Sequence, residues 1–270
     1  MILSRISGIE SAKRKVVRAR EHLQALELCA AGYTGNETNL VVDESEGAKK
    51  LRFPNDPPSD IAIVAGEIVY QLRSALEHLA FELVKSNPTN VALPKEWERD
   101  CHFPLCLKVP TQGNPPVAMN LPLPFNFFRK TLPEITPEAF AIVERLQPYN
   151  GGNGPAQLGC IEKLANIDKH HHFHVVVTQA YQTEHVRSRI IDSEMIHRLQ
   201  DGAEIKPTLH DPAELQDAVY VQRGITGTFI SFDEGALPQE LADLSIDDVL
   251  GVCIEAVDRI VIPKFEGLLG

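Results

Sequence analysis

The stretch "IAIVAGEIVYQLRSALEHLAFELV", residues 61–84, decides the fold of this chain. Its apolar residues recur every three or four positions, which is the period of an α-helix that buries one face. The preceding "PNDPPSD" supplies Ser59 or Asp60 as an N-cap, and the pattern ends near Ser86. The sequence therefore predicts a helix over 60–86. Its apolar stripe consists of Ile61, Ala65, Ile68, Leu72, Ala75, Leu79 and Leu83.

The same spacing predicts further helices over 4–31, where Gly32 ends the pattern, and over 245–266. Segment 137–172 holds two more helices, the first capped by Thr136, which the run "PYNGGNGP" separates. Residues 38–53 read as a β-hairpin, and the β-branched runs of 173–233 predict a small antiparallel sheet. The proline-rich segment 87–136 is expected to be irregular and to wrap on the core. The predicted fold class is α+β, mainly α: a bundle of about five helices with an inserted hairpin and a small sheet, in one domain over 1–270.

Composition limits the classes of function. The chain has 270 residues, 43% of them apolar, and a formal net charge of -11, which disfavours a protein that coats DNA or lies on an anionic membrane. No segment approaches the roughly 18 apolar residues of a membrane span, and the N-terminal residues lack the apolar run of a signal peptide. Five cysteines, an odd number at scattered positions, are typical of free thiols in a reducing compartment. We therefore expect a cytoplasmic protein without membrane contact.

Arg73 and His78 are the candidate catalytic residues of the central helix. A guanidinium binds phosphate through two parallel donors, and an imidazole can move a proton near neutral pH. Five residues advance a helix by about 500°, so the two side chains point about 140° apart and cannot meet within one straight helix. A second copy of the helix, related by a two-fold axis, could bring them together around one phosphate. The structural alternative is that Arg73 pairs with Glu77 at i+4 on a solvated face, while His78 contacts Ser74 or Glu82.

The spacing from Arg73 to His78 resembles the R-x4-6-H motif of the HEPN superfamily, whose members are helical bundles, often dimeric, and in many cases RNases or toxin-like defence proteins. The resemblance implies a homodimer that binds RNA or a nucleotide phosphate, possible metal-independent endoribonuclease activity and no cofactor. Arg73 would then stabilise the phosphorane and His78 would act as general acid or base, with Ser74 and Glu77 in support. Ser74 departs from the Asn, Asp or His that often follows the motif arginine.

A longer pattern is also similar to a group of bacterial proteins without assigned function. It consists of "GEIVYQLRSALEHLAFELV", followed far downstream by "LQPYN" and "NIDKHH". This second resemblance implies no activity.

The segment "NIDKHHHFH", 166–174, is the second polar cluster. As a helix it would place His170 and His174 at i and i+4, and as a strand it would place His170, His172 and His174 on one face, so either form permits a metal site of a metal-dependent hydrolase. Further candidate ligands are Cys101, His102 and Cys106. The simpler interpretation is a polar junction at a helix end, and no metal is favoured. A third interpretation joins the two clusters in one phosphate pocket, which Asn166, Asp168, Lys169 and His170 would complete.

Other sequence features narrow the hypotheses. There is no P-loop, dinucleotide-binding glycine motif, G-x-S-x-G or H-E-x-x-H. The run "SAKRKVVRAR", 11–20, is either a local basic patch or a solvated helix face. Three hypotheses remain open: a HEPN-like protein that acts on RNA or a nucleotide phosphate, a non-enzymatic binding or scaffold protein of the same fold, and a metal-dependent hydrolase.

Overall fold

The computed structural model describes residues 7–44, 48–86, 93, 95–109, 128, 130–170, 175–188, 192–199, 201–232, 237, 241 and 244–269. The chain is α+β and mainly helical, as predicted. Its elements, in order, are α1 (Gly8–Thr34), β1 (Val41–Asp43), β2 (Lys50–Arg52), α2 (Ser59–Lys85), α3 (Trp97–Asp100), α4 (Pro137–Arg145), α5 (Pro155–His170), β3 (Val175–Ser188), β4 (Asp192–Leu199), α6 (Pro212–Leu215), β5 (Ala218–Phe232), α7 (Ile246–Glu255) and α8 (Ile262–Leu269). None of the described helices is long and apolar enough to cross a membrane.

Helix α2 lies at the centre of the bundle. Every residue of its predicted apolar stripe is buried, and the main core also contains apolar residues of α1, α4, α5, α7, α8 and β5. Helices α1 and α2 run antiparallel, because Ser11 of α1 contacts His78 of α2 while His22 contacts Glu67. Helix α5 packs on the other side of α2, where Glu162 lies beside Arg73. Two neighbours thus flank α2 and leave part of its surface between them.

Several details of the predicted helix ends are wrong. Helix α1 begins at Gly8, with Ser7 as its N-cap, rather than at residue 4. Helix α1 continues through Gly32 to Thr34, because the side chain of Tyr33 is buried and its hydroxyl donates to the carbonyl oxygen of Asn55. This contact with the core outweighs the tendency of glycine to end a helix. At α2 the N-cap residue is Pro58, and Ser59 and Asp60 belong to the first turn.

The last helical region begins as the sequence predicts. Ser245 is its N-cap and accepts a hydrogen bond from the Asp248 N–H at 3.2 Å. Between α7 and α8 the backbone widens into a π-helical turn, Ala256–Val261. Pro263 follows this turn in α8 and has no N–H to donate, so the regular α-helical hydrogen bonding is interrupted here.

The β elements also follow the prediction. Strands β1 and β2 form an antiparallel hairpin, and a separate sheet has the order β4-β3-β5 with antiparallel pairing throughout. In the segment predicted to be irregular, residues 101–106 have no regular secondary structure, and the Phe103 side chain is buried in the core. The short helices α3 and α6, four residues each, were not predicted.

A buried glutamate holds a loop on one face of the three-stranded sheet. Glu184 of β3 is 1% exposed and accepts hydrogen bonds from the N–H groups of Leu209 and His210, at 2.7 Å each, and from Arg223 of β5. Burial alone would raise the pKa of Glu184, but the donors from His210, Arg223 and Leu209 outweigh it and lower the pKa to about 2. Glu184 is therefore ionised in the folded protein at neutral pH.

We predict that Gly8→Ala destabilises the protein although alanine favours helices. A Cβ at position 8 would lie 2.5 Å from the Glu82 Cβ and 2.8 Å from the His78 carbonyl oxygen, so α1 and α2 must separate. We expect a loss of about 1–3 kcal/mol in the free energy of unfolding, measured by urea denaturation. The control is Gly32→Ala in the same helix, where a Cβ meets nothing within 4 Å, and there we expect a gain of up to about 1 kcal/mol. Equal effects of the two substitutions would contradict the prediction.

We predict that Glu184 makes the fold acid-sensitive. The folded-state pKa of about 2 lies below the ordinary value of 4.5, so the stabilisation is complete above pH 4.5 and is lost as the pH falls toward 2. Between about pH 6 and about pH 3 the wild type should lose about 2 kcal/mol more unfolding free energy than Glu184→Gln. Urea denaturation at both pH values measures this, and Glu194→Gln, at an exposed position of β4, should behave like the wild type.

Candidate functional site

Arg73 is engaged in contacts within the chain. Its Nε lies 2.9 Å from Glu77 Oε1, and its Nη2 donates to the carbonyl oxygen of Phe103 at 3.0 Å. Its Nη1 is buried and lies 3.3 Å from Glu162 Oε2, without the geometry of a hydrogen bond. The i+4 pair of Arg73 with Glu77 is thus confirmed, but it faces α5 and the 101–106 segment and is mostly buried rather than solvated.

Glu77, like Arg73, binds the backbone of Phe103. Its Oε2 accepts a hydrogen bond from the Phe103 N–H at 2.9 Å, so Arg73 and Glu77 together satisfy both backbone groups of this residue. Burial raises the pKa of Glu77, while Arg73 and the Phe103 N–H oppose that rise. The ring of Phe103 packs edge-to-face on Phe265, with 6.2 Å between ring centroids. The Arg73–Glu77 pair therefore has a defined structural role, which is to attach the irregular segment to α2.

His78 points to a different part of the molecule. Its Nδ1 lies 2.7 Å from Ser11 Oγ of α1, so its partner is neither Ser74 nor Glu82. Burial, and secondarily the charge of Lys15, lowers the pKa of His78, so the imidazole is neutral at pH 7. Arg73 faces α5 and His78 faces α1, as their angular separation on α2 predicts. Within one chain the structure does not bring the two together.

The residues predicted to complete a phosphate pocket are only partly brought to Arg73 and Glu77, where the charge of Lys169 opposes the rise in the pKa of Glu77. Asn166 is exposed and donates to Glu162 Oε1 at 3.1 Å, and Lys169 is exposed as well. The residue of α5 that contacts Arg73 is Glu162, a carboxylate that repels phosphate. His170 is the last residue of α5, and its side chain lies outside the described residues, as do His171, His172 and His174.

Within the described ranges, no group of three His, Cys, Asp or Glu residues is placed to hold a metal ion. Burial raises the pKa of Cys101 to about 12 and that of Cys106 to about 11. Both are therefore protonated thiols at neutral pH. The histidine run that motivated the metal hypothesis lies mostly outside the described residues.

The basic run of α1 is a solvated helix face with acidic partners. The paired cations and their nearest carboxylates are Lys13 with Glu266, Arg14 with Glu10, Arg18 with Glu21, and Arg20 with both Glu255 and Asp258. Lys15 instead lies over the ring of Tyr70, 5.7 Å from its centroid. Because carboxylates compensate most of these charges, the run does not form a basic patch.

A cleft of about 470 Å³ opens where α1 and α5 flank α2. Its floor is α2, where Ala62 and Gly66, one turn apart, leave space that larger side chains would fill. His22 of α1 and Asp168 of α5 form its sides, and His22 Nδ1 lies 3.2 Å from Glu67 Oε2. The remaining lining residues are Ile63, Glu67, Tyr70 and Gln71. Of the predicted site residues, Asp168 lines this cleft.

Gln71 gives the cleft an unused hydrogen-bond acceptor. Its Oε1 is buried and has no hydrogen-bond partner within the described part of the chain. A buried acceptor without a donor costs about 1–3 kcal/mol, and such groups in folded proteins are commonly explained by a missing partner. The cleft therefore has a specific position that a donor group of a ligand can satisfy.

Sequence analysis did not identify His22, Glu67, Tyr70 or Gln71. A partial signal was present, because Ala62 and Gly66 are small residues at i and i+4, and Glu67 and Tyr70 continue along that side of α2. The positions of α1 and α5, which turn this side into a cleft, depend on tertiary packing.

Comparison with known proteins gives no relative for this arrangement. No protein-family model, no curated protein and no solved structure matches the chain.

Proposed function

We propose that this is a binding protein that holds a small amine in the cleft between α1, α2 and α5. The observation that carries the proposal is that Gln71 lines the cleft while its Oε1 is buried and lacks a donor. An N–H group of a ligand would satisfy this oxygen and remove the cost of leaving it unpaired. The volume of about 470 Å³ lies within the range of about 300–1,000 Å³ that is usual for small-molecule sites.

The charges around the cleft favour a cationic ligand. Two of the lining residues, Glu67 and Asp168, are carboxylates. His22, which lies beside Glu67, carries a positive charge only when it is protonated. The exposed side chains of Tyr70 and Ile63 offer apolar contact, and Lys15 already lies over the face of the Tyr70 ring. An ammonium group attached to a small apolar frame matches all of these groups.

The contacts of Arg73 are the reason to prefer this binding function to a phosphate site. A phosphate at Arg73 would have to displace the Phe103 carbonyl oxygen and would meet Glu77 and Glu162. That displacement would also remove the attachment of the 101–106 segment. Two alternatives from the sequence remain beside this proposal. One is a HEPN-like homodimeric nuclease with Arg73 and His78 as catalytic residues, and the other is a metal-dependent hydrolase.

We predict that phenethylamine binds and that phenylacetate, a similar frame of opposite charge, does not. Isothermal titration calorimetry and thermal unfolding measure this, with AMP as a probe of the phosphate hypothesis. Gln71→Leu removes the acceptor and should weaken amine binding about tenfold. It should also stabilise the unliganded protein by about 1 kcal/mol, because no buried acceptor is left unpaired.

The matched control is Gln24→Leu, the same change at an exposed position of α1, which should leave amine binding at the wild-type level. Binding of AMP without binding of the amine would overturn the proposal in favour of a phosphate site. Equal affinity of phenethylamine and phenylacetate would show that the carboxylates do not select the ligand.

We predict that the wild type does not cleave RNA above background, and that His78→Ala does not differ from it. The physical reason is that His78 and Arg73 face different helices and that Arg73 is already engaged by Glu77, Glu162 and the Phe103 carbonyl oxygen. Incubation with labelled single-stranded RNA, together with sedimentation analysis of oligomeric state, measures both parts of the nuclease hypothesis. Cleavage by a dimeric wild type that is lost in His78→Ala would contradict this prediction and support the two-fold site.

A further inference from the structure

A serine, a histidine and a glutamate form a hydrogen-bonded chain on the small sheet, away from the cleft. Ser193 lies on β4, which is an edge strand, and its Oγ is 3.1 Å from His210 Nε2. The other ring nitrogen of His210, Nδ1, is 3.0 Å from Glu184 Oε2. Strands β3 and β4 and the segment that follows β4 thus place a carboxylate, a hydroxyl and an imidazole in line.

The two contacts of the imidazole define its tautomer. A carboxylate accepts hydrogen bonds, so Nδ1 carries the proton that it donates to Glu184, and the lone pair of Nε2 faces the Ser193 hydroxyl. This is the arrangement in which a histidine can remove the proton of a serine as it attacks.

In this hydrogen-bonded chain, Glu184 and His210 are held rigidly. His210 is 5% exposed and Glu184 is 1% exposed, and the backbone N–H of His210 donates to the same carboxylate oxygen as its ring. Arg223 and Thr208 contact the other oxygen of Glu184. The imidazole therefore has little freedom to turn away from Ser193, whereas Ser193 itself is only partly buried and can be reached from solvent.

We propose that Ser193 is a nucleophile toward small uncharged esters, with His210 as its general base and Glu184 as a positioning residue. The Ser193 Oγ forms a bond to the carbonyl carbon, its proton passes to His210 Nε2, and the bond from carbon to the alcohol oxygen breaks as that oxygen takes the proton. Water then attacks the acyl-serine with the same proton transfers, which releases the carboxylic acid and restores Ser193. This inference does not depend on the proposed amine site.

The surroundings of Ser193 indicate the class of ester. The next residue of β4 on the same face of the sheet is Met195, which is 41% exposed, and the cross-strand partner of Ser193 is the buried Val186. The exposed side chain of Met195 can contact a short acyl chain, whereas Val186 lies beneath the surface. Position on an edge strand favours a small substrate that approaches from solvent.

The test is covalent labelling of the full chain with an alkyl fluorophosphonate, followed by peptide mass spectrometry. In this reaction the Ser193 oxygen displaces fluoride from phosphorus, and the proton again passes to His210. We expect one adduct, on Ser193, together with release of nitrophenol from p-nitrophenyl butyrate. Ser193→Ala should abolish both signals, and His210→Asn should slow labelling about 100-fold or more.

The matched control is Ser11→Ala. Ser11 also contacts an imidazole, with its Oγ 2.7 Å from His78 Nδ1, and the substitution should leave labelling unchanged. For Glu184, the test is the labelling rate at Ser193 in variants whose fold is verified by circular dichroism. Glu184→Gln should lower that rate, and Glu184→Asp, which keeps a carboxylate, should restore part of it.

Three outcomes would overturn the proposal. The first is a folded wild type that takes no adduct and hydrolyses no ester, and the second is labelling that persists in Ser193→Ala. The third is an adduct that disappears in Ser11→Ala instead, which would assign the reactive hydroxyl to the helical pair. Ser193→Ala removes only one partly buried hydroxyl, so we expect this variant to fold. The test at Ser193 therefore stands even if the His210 or Glu184 variants do not fold.

Discussion

The packing of segment 101–106 on the helices depends on side chains that pair with its backbone from Phe103 to Cys106. A chain without regular secondary structure has no ladder of its own, and each buried N–H or C=O left unpaired costs free energy. Arg73 and Glu77 satisfy both groups of Phe103, and the fully buried Gln147 accepts from the Cys106 N–H and donates to the Pro104 carbonyl oxygen, at 3.0 Å each. The burial of Phe103 in the core depends on these contacts.

The same physical solution is used on the small sheet. Gln182 of β3 exchanges two hydrogen bonds with the backbone of Lys206, and Glu184, two residues later on the same face, binds the N–H groups of Leu209 and His210. Both irregular segments are therefore held by polar side chains that project from regular elements. A charged residue that is buried and paired can be either structural or catalytic, so the residue type alone does not show which role it has.

The predictable part of the structure is the part that periodicity governs. The stripe of α2 and the Thr136 cap of α4 follow from local chemistry, and the 140° between Arg73 and His78 follows from helix geometry. What the sequence left open was the partner of each side chain: Phe103 lies 30 residues from Arg73, and Ser11 lies 67 residues from His78. Gly32 was misread for a similar reason, because the contact that extends α1 beyond it is the tertiary bond of Tyr33 to Asn55. Local rules fail wherever a distant contact has the larger energy.

Arg73 and Gln71, two positions apart on α2, each have a buried side-chain atom without a hydrogen bond, Arg73 Nη1 and Gln71 Oε1, but their surroundings differ. The charge of Arg73 is matched by Glu77 and Glu162, and Nη1 lies 3.3 Å from Glu162 Oε2. Gln71 Oε1 is buried as deeply but has no donor, at a place where α2 carries Gly66 and the flanking helices leave room. A buried polar group is most informative about binding when its own chain does not satisfy it, since a folded protein tolerates that cost only where something offsets it. By this criterion the side of α2 that faces the cleft is the better candidate for binding, whereas Arg73 and Glu77 have a structural role at Phe103.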